Sequence, residues 1–150
     1  MFVTAKDDGL IPYVLTQILD ACVNGVTLSD PDLPDNPIVY ANQAFEAMSG
    51  YSQEDIVGRN CRFLQGADRN QEALDTIRAA LQKHDSCVVT LRNYRKNGEL
   101  FFNRLSIRPL VDREGQVIYY LGVQYDVTDQ VRARAELEKL QFELDKRASG

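Results

Sequence analysis

The stretch SCVVTLRNYRKNGELFFNRLSIRPLVDREGQVIYYLGVQYDV, residues 86–127, decides the fold. Segments 86–95, 100–108 and 116–127 are rich in β-branched and aromatic residues, and Asn97-Gly98 and Asp112-Arg113-Glu114-Gly115 part them. Turn signals between apolar runs of this kind mark hairpins, so the stretch predicts an antiparallel meander of three long strands. Side chains alternate across a strand. Cys87, Val89, Leu91 and Asn93 therefore share a face, and Phe101, Asn103, Leu105 and Ile107 form the inner face of the second strand, opposite Arg104, Ser106 and Arg108. Tyr120, Gly122, Gln124 and Asp126 share a face of the third. A two-residue turn at Asn97-Gly98 would split Asn93 and Asn103 between faces, whereas a three-residue loop, Asn97-Gly98-Glu99, pairs them. The three-residue loop is expected, with Gly98 in or near the left-handed region, and Gly122 leaves room beside Gln124 for a ligand or backbone.

A buried primary amide with unmade hydrogen bonds costs about 1 to 3 kcal/mol, so Asn93, Asn103 and Gln124 on one sheet face need partners. Either they bond one another and water, or they share a planar heterocycle with donors and acceptors along one edge.

Upstream, Ile11, Val14, Leu15, Ile18, Leu19 and Cys22 fall on one stripe of an amphipathic helix, with Pro12 tolerated in its first turn. Residues 26–29 and 38–40 read as short strands around a loop, 30–37, that holds Pro31, Pro34 and Pro37. Asn42 caps a short helix through Phe45 and Met48 to Gly50, and Ser52 with Asp55 opens another that Gly58 closes. Then comes Gly58-Arg59-Asn60-Cys61-Arg62-Phe63-Leu64-Gln65-Gly66, a lone thiol among amides and cations. Asn70 is expected to cap a helix with Leu74, Ile77 and Leu81 on one face. Past Thr128, Ala133, Leu137, Leu140 and Leu144 among charged residues predict a closing helix of about five turns at most.

The 150 residues fit one domain, and 44% hydrophobic with 26% charged residues is ordinary for a globular protein with a real core. A net charge of -5 argues against direct nucleic-acid binding, which needs clustered cations. Cys22, Cys61 and Cys87 are odd in number and widely spaced, which suits a reducing compartment. With His84 the single histidine, zinc sites and histidine triads are poorly supplied, and no metal is expected. No apolar run approaches the roughly 20 residues that span a bilayer, and Met1 to Gly9 carries Lys6, Asp7 and Asp8 where a secretory signal needs an apolar stretch. The expected location is cytoplasmic, without a membrane partner.

With Cys61 in GRNCRFLQG, Asn93 in LRNYRKNG, Asn103 in FFNRLSI and Gln124 in YLGVQYDVT, the chain resembles the LOV (light-oxygen-voltage) domains of the PAS family from about Asn24 to Thr128, in the short form without a fused effector. The resemblance implies an α+β fold, a five-stranded antiparallel sheet with short helices on one face, here a core at 24–128 between a flanking helix at 1–23 and another at 129–150. It implies a blue-light photoreceptor that holds FMN non-covalently and forms a reversible bond between Cys61 and the flavin C4a carbon, with no substrate turned over. Asn60 and Gln65 would bond the ribityl chain and ring edge, Arg62 and Arg78 the phosphate, Asn93 and Asn103 the pyrimidine edge. Gln124 would sit near flavin N5 and O4, and an amide that rotates suits the change of N5 from acceptor to donor. Val26, Thr27, Leu64, Leu105, Ile107 and Gly122 would complete the surroundings.

The blander readings are specific. Arg69 contacts either phosphate or solvent. Cys22 and Cys87 fall on apolar stripes as packing residues, Tyr94, Tyr119, Tyr120 and Tyr125 are expected to pack the sheet rather than to serve as electron donors, and His84 lies at the surface. The competing functions are a flavin-based redox sensor and a flavin-dependent enzyme or cysteine hydrolase. A hydrolase needs a base beside Cys61, and a reductase a Gly-rich dinucleotide fingerprint, neither of which the sequence supplies. Signalling would pass to a downstream protein or through a homodimer built on the flanking helices. The Leu137, Leu140 and Leu144 stripe suits a coiled-coil-like contact, and its alternative is a helix docked on the domain's own sheet.

Overall fold

The computed structural model describes residues 10–149; the charged segment at 1–9 and Gly150 lie outside them. The elements are α1 (Leu10–Asp20), β1 (Gly25–Ser29), β2 (Ile38–Ala41), α2 (Gln43–Ser49), α3 (Gln53–Ile56), a 3-10 turn (Cys61–Gln65), α4 (Glu72–Gln82), β3 (Cys87–Tyr94), β4 (Leu100–Val111), β5 (Val117–Asp126) and α5 (Thr128–Ser149). The five strands form one antiparallel sheet in the order β2-β1-β5-β4-β3, which is the α+β arrangement of the PAS fold.

Alternation in the long strands builds two layers. On the inner face Leu91, Leu105, Ile107 and Tyr120 meet Leu74, Ile77 and Leu81 of α4. On the outer face Leu28, Val39, Tyr40 and Tyr119 meet Leu19 of α1. A third cluster, Ile38, Ala41, Phe45, Ile56 and Leu64, binds α2, α3 and the 3-10 turn to β2.

The hairpin corrects the expected register. Arg95 N bonds Glu99 O, so the three-residue loop is Lys96-Asn97-Gly98, with Gly98 at φ 89. Asn93 therefore lies opposite Phe101, and Asn103 opposite Leu91. A shift by two residues conserves the face, and the amides meet diagonally: Asn103 Nδ2 donates to Asn93 Oδ1 at 2.9 Å. Strand β4 also runs on to Val111. Past Ile107, the last partner on β3, it has a neighbour on one side only, where Pro109 is tolerated.

Asn42 caps α2 as expected and also joins distant segments. Its Oδ1 accepts from Val26 N (2.8 Å) and Phe45 N (3.1 Å), and its Nδ2 donates to Leu19 O (2.8 Å) and Asn24 O (3.0 Å). All of its bonding capacity is spent in a fully buried position. Asn42→Ala is expected to cost about 3 kcal/mol, from several buried bonds at about 1 kcal/mol each, read as a fall in the denaturant midpoint with unchanged slope.

Other local expectations shift. Gln71 precedes α4, without a side-chain cap, so Asn70 does not cap it. Helix α5 has 22 residues, about six turns, and from Arg132 onward it stands exposed, so it does not dock on the sheet. Cys22 is exposed too, its thiol donating to Ile18 O, and is no packing residue. Where α4 ends, His84 adopts φ 56, a left-handed conformation that costs a non-glycine residue roughly 1–2 kcal/mol.

Candidate functional site

A cavity of about 210 Å³ lies between the inner sheet face and the helices. Its sheet wall carries Thr27 and Ser29 of β1, Leu91 and Asn93 of β3, Asn103, Leu105 and Ile107 of β4, and Tyr120, Gly122 and Gln124 of β5. Its helical wall carries Phe45, the turn residues Cys61, Arg62, Leu64 and Gln65, and Leu74, Ile77, Arg78 and Leu81 of α4.

Cys61 opens the 3-10 turn, and Asn60 fixes it there. Asn60 Oδ1 accepts from Arg62 N (3.0 Å), while its Nδ2 donates to Asp35 O (2.7 Å) in the loop between β1 and β2. Cys61 is exposed to the open cavity, but protein surrounds it, and desolvation pushes its pKa up, opposed more weakly by its own backbone hydrogen bond and the Arg62 charge. The thiol is neutral at pH 7.

Polar capacity is left unspent around this cavity. Asn36 Oδ1, Gln65 Oε1, Asn103 Oδ1 and Gln124 Oε1 are buried without a hydrogen-bond partner, and all four residues line the cavity. Native interiors leave few such groups, and each needs an explanation. Gln124 Nε2 donates to Thr27 Oγ1 at 3.1 Å, directly over Gly122. A Cβ there would stand 2.6 Å from Thr27 Oγ1 and 2.8 Å from Gln124 Nε2, so the space that Gly122 leaves is taken by this side-chain pair rather than open to a ligand.

At the mouth stand Arg62, Arg69 and Arg78. Arg62 pairs with Asp35, Arg78 with Asp75 at 2.7 Å, and Arg69 Nε donates to Gly66 O at 3.1 Å. All three are exposed and screened by solvent, which leaves them able to exchange partners for an anion.

The loop that carries Arg69 is clamped to β3. Arg92 makes a bidentate pair with Asp68 (2.7 and 2.9 Å), Tyr94 OH donates to the same carboxylate, and Gln71 satisfies both backbone groups of Arg92 on this edge strand. Hydrogen bonds from Arg92 and Tyr94 hold the Asp68 pKa down at about 2, from an ordinary 3.8. Because the folded value is the lower one, the stabilisation is full above the unfolded value and is lost as pH falls through the folded one. The gap in melting temperature between wild type and Asp68→Asn is thus expected to stay constant above about pH 5 and to close between about pH 4 and 2.

Of the residues singled out from sequence, Thr27, Asn60, Cys61, Arg62, Leu64, Gln65, Arg78, Asn93, Asn103, Leu105, Ile107, Gly122 and Gln124 line the cavity. Val26 does not: it pairs with Val123 one residue out of phase with Thr27, and its side chain lies on the outer face. Asn36, Phe45 and Tyr120 were not singled out for the site. Tyr120 was legible from its face, shared with Gln124, but Asn36 sits at φ 47 in an irregular loop where no period places it.

Residues 23–129 match the PAS domain family. A blue-light photoreceptor of Listeria innocua is 40% identical over 133 residues, 89% of this chain and 52% of that protein. A blue-light-activated histidine kinase of Erythrobacter litoralis is 45% identical over 113 residues, 75% of this chain and 31% of that one. The chain thus spans about half the length of the first of these relatives and less of the second. Among solved structures, a light-oxygen-voltage domain from work on a flavin analogue superposes with a TM-score of 0.74 at 42% identity, over 90% of this chain and 99% of that one. The LOV protein of Rhodobacter sphaeroides superposes at 0.70 with 41% identity, over 75% and 65%. The five-stranded antiparallel sheet, a thiol and three strand amides around one cavity, and these likenesses together place the chain in the PAS family, as a LOV domain protein.

Proposed function

We propose that this chain is a blue-light sensor that holds FMN in the cavity without a covalent bond in darkness and joins Cys61 to it reversibly under illumination. The observation that carries the reading is the set of orphaned side-chain oxygens at Asn36, Gln65, Asn103 and Gln124, gathered around a single cavity with an accessible thiol in its wall. A flavin ring supplies donors and acceptors along one edge and apolar faces elsewhere, which fits amides on the sheet between Leu64, Leu105 and Ile107. Arg62 and Arg78, joined by Arg69, suit a phosphate at the mouth. When bound, the flavin supplies blue absorption and an excited state that the Cys61 sulfur can attack.

The residues do the rest. Asn60 gives one amide hydrogen to the Asp35 carbonyl and one oxygen lone pair to Arg62 N, which holds the thiol's turn in place, and its other hydrogen and lone pair remain available to the ribityl chain. Asn93 and Asn103 fix each other's amides and leave Asn103 Oδ1 free for a donor. Illumination of the purified protein should bleach a structured blue absorption band that returns in darkness; a colourless folded protein would falsify the assignment.

Output is proposed to pass through the flanking helices to a second copy of the chain or to a downstream protein. Leu137, Leu140 and Leu144 on α5 and Val14, Leu15 and Ile18 on α1 are exposed, an amount of apolar surface that suits a helical dimer contact. The expected result of Leu140→Glu with Leu144→Glu is a shift from dimer to monomer in light scattering, with the cavity's absorption unchanged. No helix among the described residues is long and apolar enough to cross a membrane.

A further inference from the structure

We infer that Tyr120 and His84 form a proton-coupled electron donor to a flavin in this cavity, a second photochemical route beside the Cys61 thiol; the inference rests on the flavin reading above. Its basis is an oxidisable ring placed against a proton acceptor. Tyr120 is 5% exposed and lines the cavity together with Ile107 and Gly122. The chain has no tryptophan, and among the described residues Tyr120 is the only tyrosine in the cavity wall.

Oxidising a neutral phenol requires somewhere for its proton to go. Burial pushes the Tyr120 pKa up, so the group is a neutral phenol. Its hydroxyl lies 3.2 Å from His84 Nδ1 and 3.4 Å from the Leu81 carbonyl. A carbonyl cannot take the proton, whereas an imidazole with Nε2 protonated and Nδ1 free can.

The backbone singles out the same pair. Where α4 ends, Asp85 N returns to Ala80 O at 2.9 Å, and the residue just before Asp85, at φ 56, occupies a position that glycine ordinarily fills. Here it is the chain's only histidine, its ring turned onto the Tyr120 hydroxyl while the residue as a whole stays exposed. A proton received at Nδ1 therefore has an outlet to water through Nε2. Packing alone accounts for a phenyl ring at position 120 but not for this contact.

The step balances as follows. One electron leaves the Tyr120 ring for the photoexcited flavin, which is the oxidant. The phenolic O–H bond breaks and an N–H bond forms at His84 Nδ1, leaving a neutral tyrosyl radical, an imidazolium and a flavin reduced by one electron. Return of the electron and proton restores all three. In the wild type the Cys61 thiol competes for the same excited state, so the route is exposed by removing the sulfur.

The test uses flavin-loaded Cys61→Ala protein, alone and with Tyr120→Phe or His84→Gln, illuminated without oxygen or added reductant. The rate is counted per bound flavin, and electron paramagnetic resonance reads the radical. Cys61→Ala is expected to give a tyrosyl signal that Tyr120→Phe abolishes, with flavin reduction slowed by about tenfold or more in both double variants, as for loss of a positioned proton acceptor. The rate should also fall in deuterium oxide for Cys61→Ala and not for the His84→Gln form. Equal rates and signals with Tyr120→Phe overturn the inference, and so does a His84→Gln form that matches its parent. If Cys61→Ala binds no flavin at all, the functional reading above falls with it.

Discussion

Cys61→Ala is expected to abolish reversible bleaching through the sulfur while leaving the flavin bound. The substitution removes one sulfur atom from a cavity wall whose binding groups all come from elsewhere: Asn93, Asn103 and Gln124 from the sheet, Gln65 from the far end of the turn, and the arginines from the mouth. The turn itself is held by Asn60, whose amide caps Arg62 N and reaches Asp35 O, so the fold should not notice the change. Stability is expected within about 0.5 kcal/mol of wild type, as for an accessible position without structural bonds. The measurement is the blue band before, during and after illumination. A dark-recovering bleached species with the wild-type spectrum in the alanine protein would remove Cys61 from the chemistry. Because desolvation by the protein around the cavity keeps the thiol protonated, wild-type bleaching should be insensitive to pH between about 6 and 8; a yield that climbed with pH would mean that a thiolate reacts.

The second large effect is expected at Gln124. Its Nε2 is bonded to Thr27 Oγ1, and its Oε1 has no partner, so the amide is held by one end only and can turn over. Two residues on, Asp126 Oδ1 accepts from Thr128 N at the start of α5, and Asp126 Oδ2 pairs with Arg95, which also donates to Met48 O in α2. A change at Gln124 therefore has a short covalent path to the helix entry, although coupling demands an element with two arrangements that the site biases. Gln124→Leu keeps a branched side chain, one atom shorter, and removes both polar ends. The cavity should still bind flavin and bleach, while the light-induced change in hydrogen exchange along α5 should fall several-fold. The leucine removes the orphaned Oε1 but leaves Thr27 Oγ1 without its Gln124 donor, so dark-state stability should fall by no more than about 1–3 kcal/mol. Full exchange differences in the leucine protein would show that the signal leaves the site by another route.

Much of this architecture is written in local pattern. Period-two alternation in 86–127 sorts Asn93, Asn103 and Gln124 onto the inner face, because the parity of a strand does not depend on what it packs against. Capping residues announced α2 and α3 through Asn42 and Ser52, whose oxygens accept from Phe45 N and Asp55 N. Where local chemistry is permissive, the pattern stops short. Asn-Gly allows more than one three-residue loop, and the chain takes Lys96-Asn97-Gly98, which shifts Asn93 from Asn103 to Phe101 without changing any face. Val26 fell to the simplest cause, adjacency in a strand, which sends neighbours to opposite sides.

What the amino-acid order determined by itself is which side chains face which way and where helices begin, since both follow from bonds reaching a few residues along the chain. The tertiary structure alone decided who meets whom: Asn42 tying α1 to β1, Asp68 and Gln71 clamping a loop to β3, Asp35 neutralising Arg62, Asn36 entering the cavity, and His84 turning onto Tyr120. Those partners are brought together across as many as 36 positions by burial of the sheet's apolar face, a non-directional force that no local pattern records.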